Sequence, residues 1–240
     1  IGRRAAGLRA LLSGKVERST MTKAKTTKKT SAAKSAATSK RPTGGALGTA
    51  LQIIEDEEAP QRVAELATQL LEGAPTTATQ AARVLDEIGK QKIELIIPIV
   101  TELTQAIFSK NKRVRQMAAD TLPLVARSAP ARVAKHLAAL RDGFADATPE
   151  GKDGLVRTFS ALCVASVAYQ KKLEPVLAEA LEGADGKTLS AWCPIVLPAL
   201  KGEPHARARA VVEARLDRIP RATAQEIADF LGIRLRTRYR

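Results

Sequence analysis

The sequence predicts an all-α protein, a right-handed α-solenoid of about five helical hairpins that follows a disordered, basic N-terminal tail. Three observations carry that reading. Apolar positions recur through the body of the chain at an offset of 37 residues, without gaps. Aromatic residues make up only 3% of a chain that is 45% apolar, and Ala, Leu and Val abound, which suits helices packed through small side chains better than a pleated sheet. Charge is segregated: residues 1–42 hold twelve Lys or Arg and one acid, residues 43–233 hold 23 basic and 24 acidic residues, and the last seven, RLRTRYR, add four arginines. The body is electrically neutral and both ends are basic. The expected organisation is therefore a tail over 1–42, a helical domain over 43–231 and an Arg-rich end over 232–240.

The tail comes first. Residues 1–20 begin with Ile, and Met21 heads the stretch after them. A fragment of a longer chain and an over-extended reading frame both stay open as accounts of that start. The Arg3/Arg4 pair hints at a twin-arginine signal, but Arg9 interrupts the apolar run behind it. From Met21 to Arg41 the chain is almost wholly Lys, Ala, Ser and Thr. Such a segment buries too little apolar area to offset a backbone ordering cost of roughly 1 to 2 kcal/mol per residue, so disorder is expected. Lys23, Lys25, Lys28, Lys29, Lys34, Lys40 and Arg41 are each able to neutralise a phosphate and release a counterion without reading sequence. In composition the tail resembles those of linker histones and of tailed bacterial nucleoid proteins. A merely solubilising tail is the alternative.

The body follows as pairs of amphipathic helices. Leu66, Leu103, Leu140 and Leu177 fall in one column of the 37-residue register, and Leu70, Ile107, Phe144 and Leu181 in another. The alternate helices supply three more: Leu51, Ile88, Val125, Leu162 and Ala199; Leu85, Leu122, Phe159 and Val196; Ala81, Ala118, Leu155 and Trp192. Spacings of three and four within a unit place these residues on one helical face. Turns are expected at Glu72 to Pro75, Ser109 to Asn111, Ala147 to Pro149, Gly183 to Gly186 and Gly202 to Pro204. The units then lie near 43–76, 77–112, 113–149, 150–186 and 187–221, with a capping helix near 222–231. One unit alone leaves its apolar face wet, so stacked neighbours must supply the core. IELIIPIV, from Ile93 to Val100, could pass for a buried strand, but Pro98 argues against it and its register is helical. Pro98, Pro123 and Pro198 are expected to kink their helices.

Within the third unit, Asn111 to Leu122 reads NKRVRQMAADTL: a polar turn, Val-Arg, then small residues leading to Leu. This run resembles the bacterial HEAT pattern. The other units match only in their apolar and small positions. The resemblance implies a HEAT-like solenoid whose Val-Arg-type helices line a concave face. Arg83, Asp86, Glu87, Gln116, Asp120, Arg157 and Ser160 are the expected exposed positions there, of mixed charge.

Chemistry is sparse. No phosphate loop, HExxH, GxSxG or paired-Cys metal spacing occurs, and no cofactor or metal is expected. His136 and His205 lie on different units and read as partly exposed helix residues, while Cys163 and Cys193 read as buried free thiols. The acidic run Glu55 to Glu58 reads as a solvated flank. One enzyme group, the alkylpurine DNA glycosylases built from HEAT-like repeats, resembles this chain in size and architecture; it implies aromatic and acidic residues in a basic cleft, whereas Trp192 sits in a core column.

Beyond the tail, Lys110, Lys112, Arg113 and Arg115 gather at one inter-unit turn, where helix N-terminal amides would suit phosphate. Arg207, Arg209, Arg215, Arg218 and Arg221 mark the last hairpin, and Arg234, Arg236, Arg238 and Arg240 form the second cationic end. The expected function is a non-enzymatic scaffold, cytoplasmic or nucleoid-associated, that binds nucleic acid, DNA in preference to RNA, through basic ends and offers its body to a protein. No membrane span is expected, since the longest apolar stretch, Ala191 to Leu200, falls far short of the roughly 20 residues a span needs.

Overall fold

A computed structural model describes residues 45–235. Among them are twelve α-helices, a few 3-10 turns and no strand, so the all-α expectation is met. The helices follow one another in pairs. They are α1 (Ala46–Ile54) with α2 (Ala59–Glu72), α3 (Pro75–Gln91) with α4 (Val100–Ala106), and α5 (Lys112–Ser128) with the short α6 (Pro130–Ala134) and α7 (Leu137–Asp142). Then come α8 (Pro149–Ala165) with α9 (Val167–Gly183), α10 (Gly186–Val196) with α11 (Glu203–Arg215), and a last helix, α12 (Arg221–Leu231).

Local chemistry explains the starts. Pro75 and Pro149 open α3 and α8 at a position where the missing N–H costs no hydrogen bond. Thr148 caps α8 by accepting from Gly151 N, and Asp185 caps α10 by accepting from Thr188 N at 2.8 Å. The acidic run is solvated around a turn, as expected: Glu58 stands just before α2 without a side-chain capping bond, and Asp56 pairs with Arg62 at 3.0 Å.

Asn111 serves two helices at once. Its side-chain oxygen accepts from Arg113 N at 3.0 Å and Val114 N at 3.4 Å, capping α5. Its amide nitrogen donates to Thr79 Oγ1 at 3.1 Å and Pro75 O at 3.3 Å, tying that cap to the first turn of α3.

Contacts between helices run from neighbour to neighbour. α3 packs on α5, α5 on α8, α8 on α10 and α10 on α12, while α2 packs on α4 and α9 on α11. The columns of apolar residues supply that interior. Leu103, Leu140 and Leu177 are buried, as are Leu85, Leu122, Phe159 and Val196, and Ala81, Ala118, Leu155 and Trp192. Each large aliphatic side chain so placed contributes roughly 1.5 to 3 kcal/mol. Leu51 departs from its column and is exposed, because no described helix precedes α1 to cover it.

The fit of α5 to α8 requires a glycine. A Cβ at Gly154 would lie 2.5 Å from both Cα and Cβ of Ala119, inside any van der Waals contact. The small pair brings the two backbones together.

Two of the three prolines expected to kink a helix instead lie just outside one. Pro98 sits in a 3-10 turn, Ile97–Ile99, ahead of α4, and Pro198 in another, Leu197–Ala199, after α10. Proline lacks an N–H to donate and its ring crowds the preceding turn's carbonyl. Near a helix end the chain relieves both by tightening, as Ile96 N to Ile93 O at 2.9 Å and Ile99 N to Ile96 O at 3.1 Å illustrate. Pro123 remains inside α5, and Pro175 and Pro194 lie inside α9 and α10.

Candidate functional site: a polar ladder and an adjoining cleft

Of the four cations gathered at the start of α5, Arg113 and Arg115 turn inward to acids on neighbouring helices. Arg113 Nη2 lies 3.0 Å from Asp86 Oδ2 on α3, and Lys90 reaches the same carboxylate at 3.2 Å and Glu87 at 3.0 Å. Asp86, expected on the exposed face, is buried; the guanidinium and ammonium beside it supply the counter-charge that a buried carboxylate needs. Its neighbours Glu87 and then Asp86 hold the Lys90 pKa above its ordinary value.

Arg115 is buried as well. It donates to Ser109 O at 2.8 Å, and its other terminal nitrogen lies 3.5 Å from Glu150 at the start of α8. Lys112 lies 3.9 Å from the same carboxylate. The Glu150 carboxyl titrates below its usual value, mainly through a backbone hydrogen bond, with Arg115 and Lys112 adding to the effect. Lys110 is exposed; its backbone carbonyl accepts from Arg115 at 3.5 Å.

The same theme continues along the row. Arg157 of α8 bridges Asp120 of α5 at 3.0 Å and its own helix's Asp153 at 2.8 Å, and Asp153 accepts a hydrogen bond from Trp192 Nε1 of α10 at 2.9 Å. Ser160, also expected on the exposed face, is buried, because α8 is enclosed by α5, α9 and α10. Arg83 and Gln116 are exposed.

Farther on, Arg207 holds Glu174 at 2.9 Å, Arg209 pairs with Glu213 at 2.7 Å, and Arg215 donates to Leu181 O at 2.7 Å. Glu174 is the largest cause of the raised Arg207 pKa. Arg218 and Arg234 are exposed. Lys23, Lys25, Lys28, Lys29, Lys34, Lys40, Arg41, Arg236, Arg238 and Arg240 lie outside the described residues.

A cleft of about 780 Å³ opens beside this ladder, between the turn after α7, the first turns of α8 and α10, and the last turns of α9. Phe144, Val176, Ala180 and Trp192 supply its apolar surface; Arg141, Lys152, Asp153, Glu179, Asp185 and Lys187 supply charge. Lys152 Nζ stands 5.8 Å from the Phe144 ring centroid, within range of a cation–π attraction. Phe144 and Trp192 were legible as core columns. The cleft itself was not, because four separate segments line it and no spacing signals their meeting.

The histidines and cysteines do not line the cleft. His136 is half-buried, its Nε2 3.4 Å from Thr101 Oγ1, and His205 is half-buried too. Both cysteines are free and buried; burial pushes the Cys163 thiol up to about 12 and the Cys193 thiol to about 11. Among the described residues no group of His, Cys, Asp and Glu is placed to hold a metal ion, and no helix is long and apolar enough to cross a membrane.

Comparison with protein-family models, with curated proteins and with solved structures finds no match to this chain.

Proposed function

We propose that this chain is a non-enzymatic, HEAT-like α-solenoid that associates with DNA, in preference to RNA, through its basic ends and presents its helical body to a protein partner. The observation that supports this most is the division of charge. Residues 1–42 carry twelve cations against one acid, whereas Arg113, Arg115, Arg157, Arg207 and Arg209 of the body are each paired with a carboxylate. Cations held by fixed carboxylates release few counterions to an incoming phosphate, so polyanion affinity concentrates where cations have no acids beside them. Phosphate contacts carry no base information, so sequence specificity is low.

The test is duplex DNA binding by the full chain and by a chain beginning at Thr43, each across a salt series. Seven tail cations meeting phosphate give a log–log salt slope of roughly −6, lost in the shorter chain. Equal binding by both chains moves the site to the body or the C-terminal arginines, and absence of binding removes the DNA reading.

A second reading, a protein-interaction scaffold with a solubilising tail, draws support from the same paired cations and from the cleft. A repeat-like body offers long surfaces for such use. Failure of the full chain to bind DNA favours it. Release of base from alkylated DNA would instead favour a glycosylase-like repair protein.

A further inference from the structure

We propose that the edge of the body formed by the turns inside its hairpins binds an anionic lipid surface, with Val164 and Val167 entering the bilayer and the lysines and arginines around them meeting lipid phosphates. The proposal goes beyond the DNA reading and does not depend on it.

The turns line up. α3, α5 and α8 are each 17 residues long, and the residues that end them, Lys92, Ala129 and Ser166, stand 37 apart in the chain. α3 packs on α5 and α5 on α8, with start facing start: Asn111 bonds to Pro75 O, and Arg115 lies beside Glu150. The three helices therefore run the same way and end along one edge. Beyond the first and second turns, Thr101 Oγ1 and His136 Nε2 meet at 3.4 Å. The buried Gln170 donates to Cys163 O at 2.9 Å and accepts from Lys201 N at 3.3 Å, which joins the third turn to the one between α10 and α11.

Positive charge is concentrated on that edge. Residues 90–94, 127–135, 164–172 and 201–202 hold eight Lys or Arg and one acid, Glu94, although the body as a whole is neutral. Lys90 is held by Asp86 and Glu87. The other seven cations are exposed and in no described salt bridge: Lys92 at the first turn, Arg127, Arg132 and Lys135 at the second, Lys171 and Lys172 at the third, and Lys201 at the fourth. The next acids along the chain, Glu174 and Glu203, are both occupied by Arg207, at 2.9 and 3.4 Å. A helix C-terminus favours a nearby cation, which accounts for Arg127. Lys201 stands instead ahead of the N-terminus of α11, where the helix dipole disfavours one.

The apolar pair decides the occupant. Val164 and Val167 are 70% and 61% exposed, the highest values among the exposed large apolar side chains of the described residues, and they flank the third turn. That turn is fixed: Ser166 N donates to Leu162 O at 3.2 Å, and Ser166 Oγ accepts from Ala168 N at 3.2 Å. A nucleic-acid backbone would satisfy the cations but set two valines against phosphate and sugar. A bilayer suits both, because anionic headgroups attract the cations and the acyl boundary takes the valines.

The test is flotation of the full chain with vesicles of phosphatidylcholine alone and of an equimolar mixture with phosphatidylglycerol, beside Val164→Gln/Val167→Gln and Lys171→Gln/Lys172→Gln. All four positions are exposed, and circular dichroism verifies that both variants keep their helices. The full chain should bind the anionic vesicles and not the neutral ones. Each cation near such a surface is worth about fivefold in affinity, so the lysine variant should bind roughly ten- to thirtyfold more weakly, and the valine variant about tenfold. An environment-sensitive label on Val164→Cys should shift to the blue on binding and be quenched by lipids brominated on their acyl chains; the two native thiols are buried. Absence of vesicle binding overturns the proposal. Equal binding by all three chains assigns the attraction to the tail and overturns it too, as does a label that stays in water. Weaker duplex DNA binding by the lysine variant, with vesicle binding unchanged, makes the edge a nucleic-acid surface and overturns the bilayer.

Discussion

Arg157 of α8 lies 3.0 Å from Asp120 of α5, and the two are separated by 37 residues, the interval at which the apolar columns recur. This polar contact between two packed helices thus spans the same interval as the apolar columns. Asn111 to Thr79, Arg207 to Glu174 and Trp192 to Asp153 span similar separations, of 32, 33 and 39 residues.

Replacing Arg157 by Met keeps most of its length and removes its charge. All three partners are partly exposed, so each ion pair is weak; a loss of about 0.5 to 1 kcal/mol is expected in urea denaturation. A double-mutant cycle with Asp120→Asn should return a coupling of about the same size. Additive losses would remove the contact from the stability of the fold.

Gly154→Ala is expected to destabilise although alanine is the better helix former. The propensity gain is about 1 kcal/mol, whereas forcing a methyl group against the Ala119 backbone costs about 1 to 3 kcal/mol. Thermal unfolding measures the net. Because the close atoms include the Ala119 Cα and carbonyl, Ala119→Gly should rescue only in part.

Asn111→Ala deletes a cap and a link between hairpins in one step, with an expected loss of about 1 to 2 kcal/mol. Asn111→Asp retains the acceptor and lacks the donor, so it should fall between the two. Equal stability of the Asp and Ala variants would assign the effect to the link alone.

The thiols make a pH prediction. Their folded values of about 12 and about 11 lie above an ordinary value of 9.0, because burial disfavours the thiolate. Below pH 9.0 both folded and unfolded chains keep the thiols protonated, so their contribution is constant. Above it the unfolded chain ionises first, and stability declines as pH climbs toward the folded values. Cys163→Ala/Cys193→Ala should flatten that decline in alkaline denaturation curves. In the native chain both thiols should resist a disulfide reagent at pH 8 and react on unfolding.

Much of the fold was legible because helix formation is local. Periodicity of three and four, a capping Asn111 or Asp185 and an opening Pro149 all act within a turn or two of chain, and the helices begin where such residues stand. Prolines were read less well. A sequence states that Pro98 cannot continue a helix normally, but whether the chain bends or breaks depends on how the following turn packs.

By itself the sequence determined that the body is helical, where its turns fall, which residues face inward in the main columns, and that the ends are basic while the body is neutral. Tertiary structure decided which charges are free. Arg113 and Arg115 read as a surface cluster beside Lys110 and Lys112, yet fold onto Asp86 and Glu150, carboxylates 27 and 35 residues away. The cleft under Lys152 and Lys187 likewise exists only where four segments meet. The physical reason is range: a helix is set by bonds between residues four apart, while burial, ion pairing and cavity shape belong to contacts between segments a whole hairpin apart.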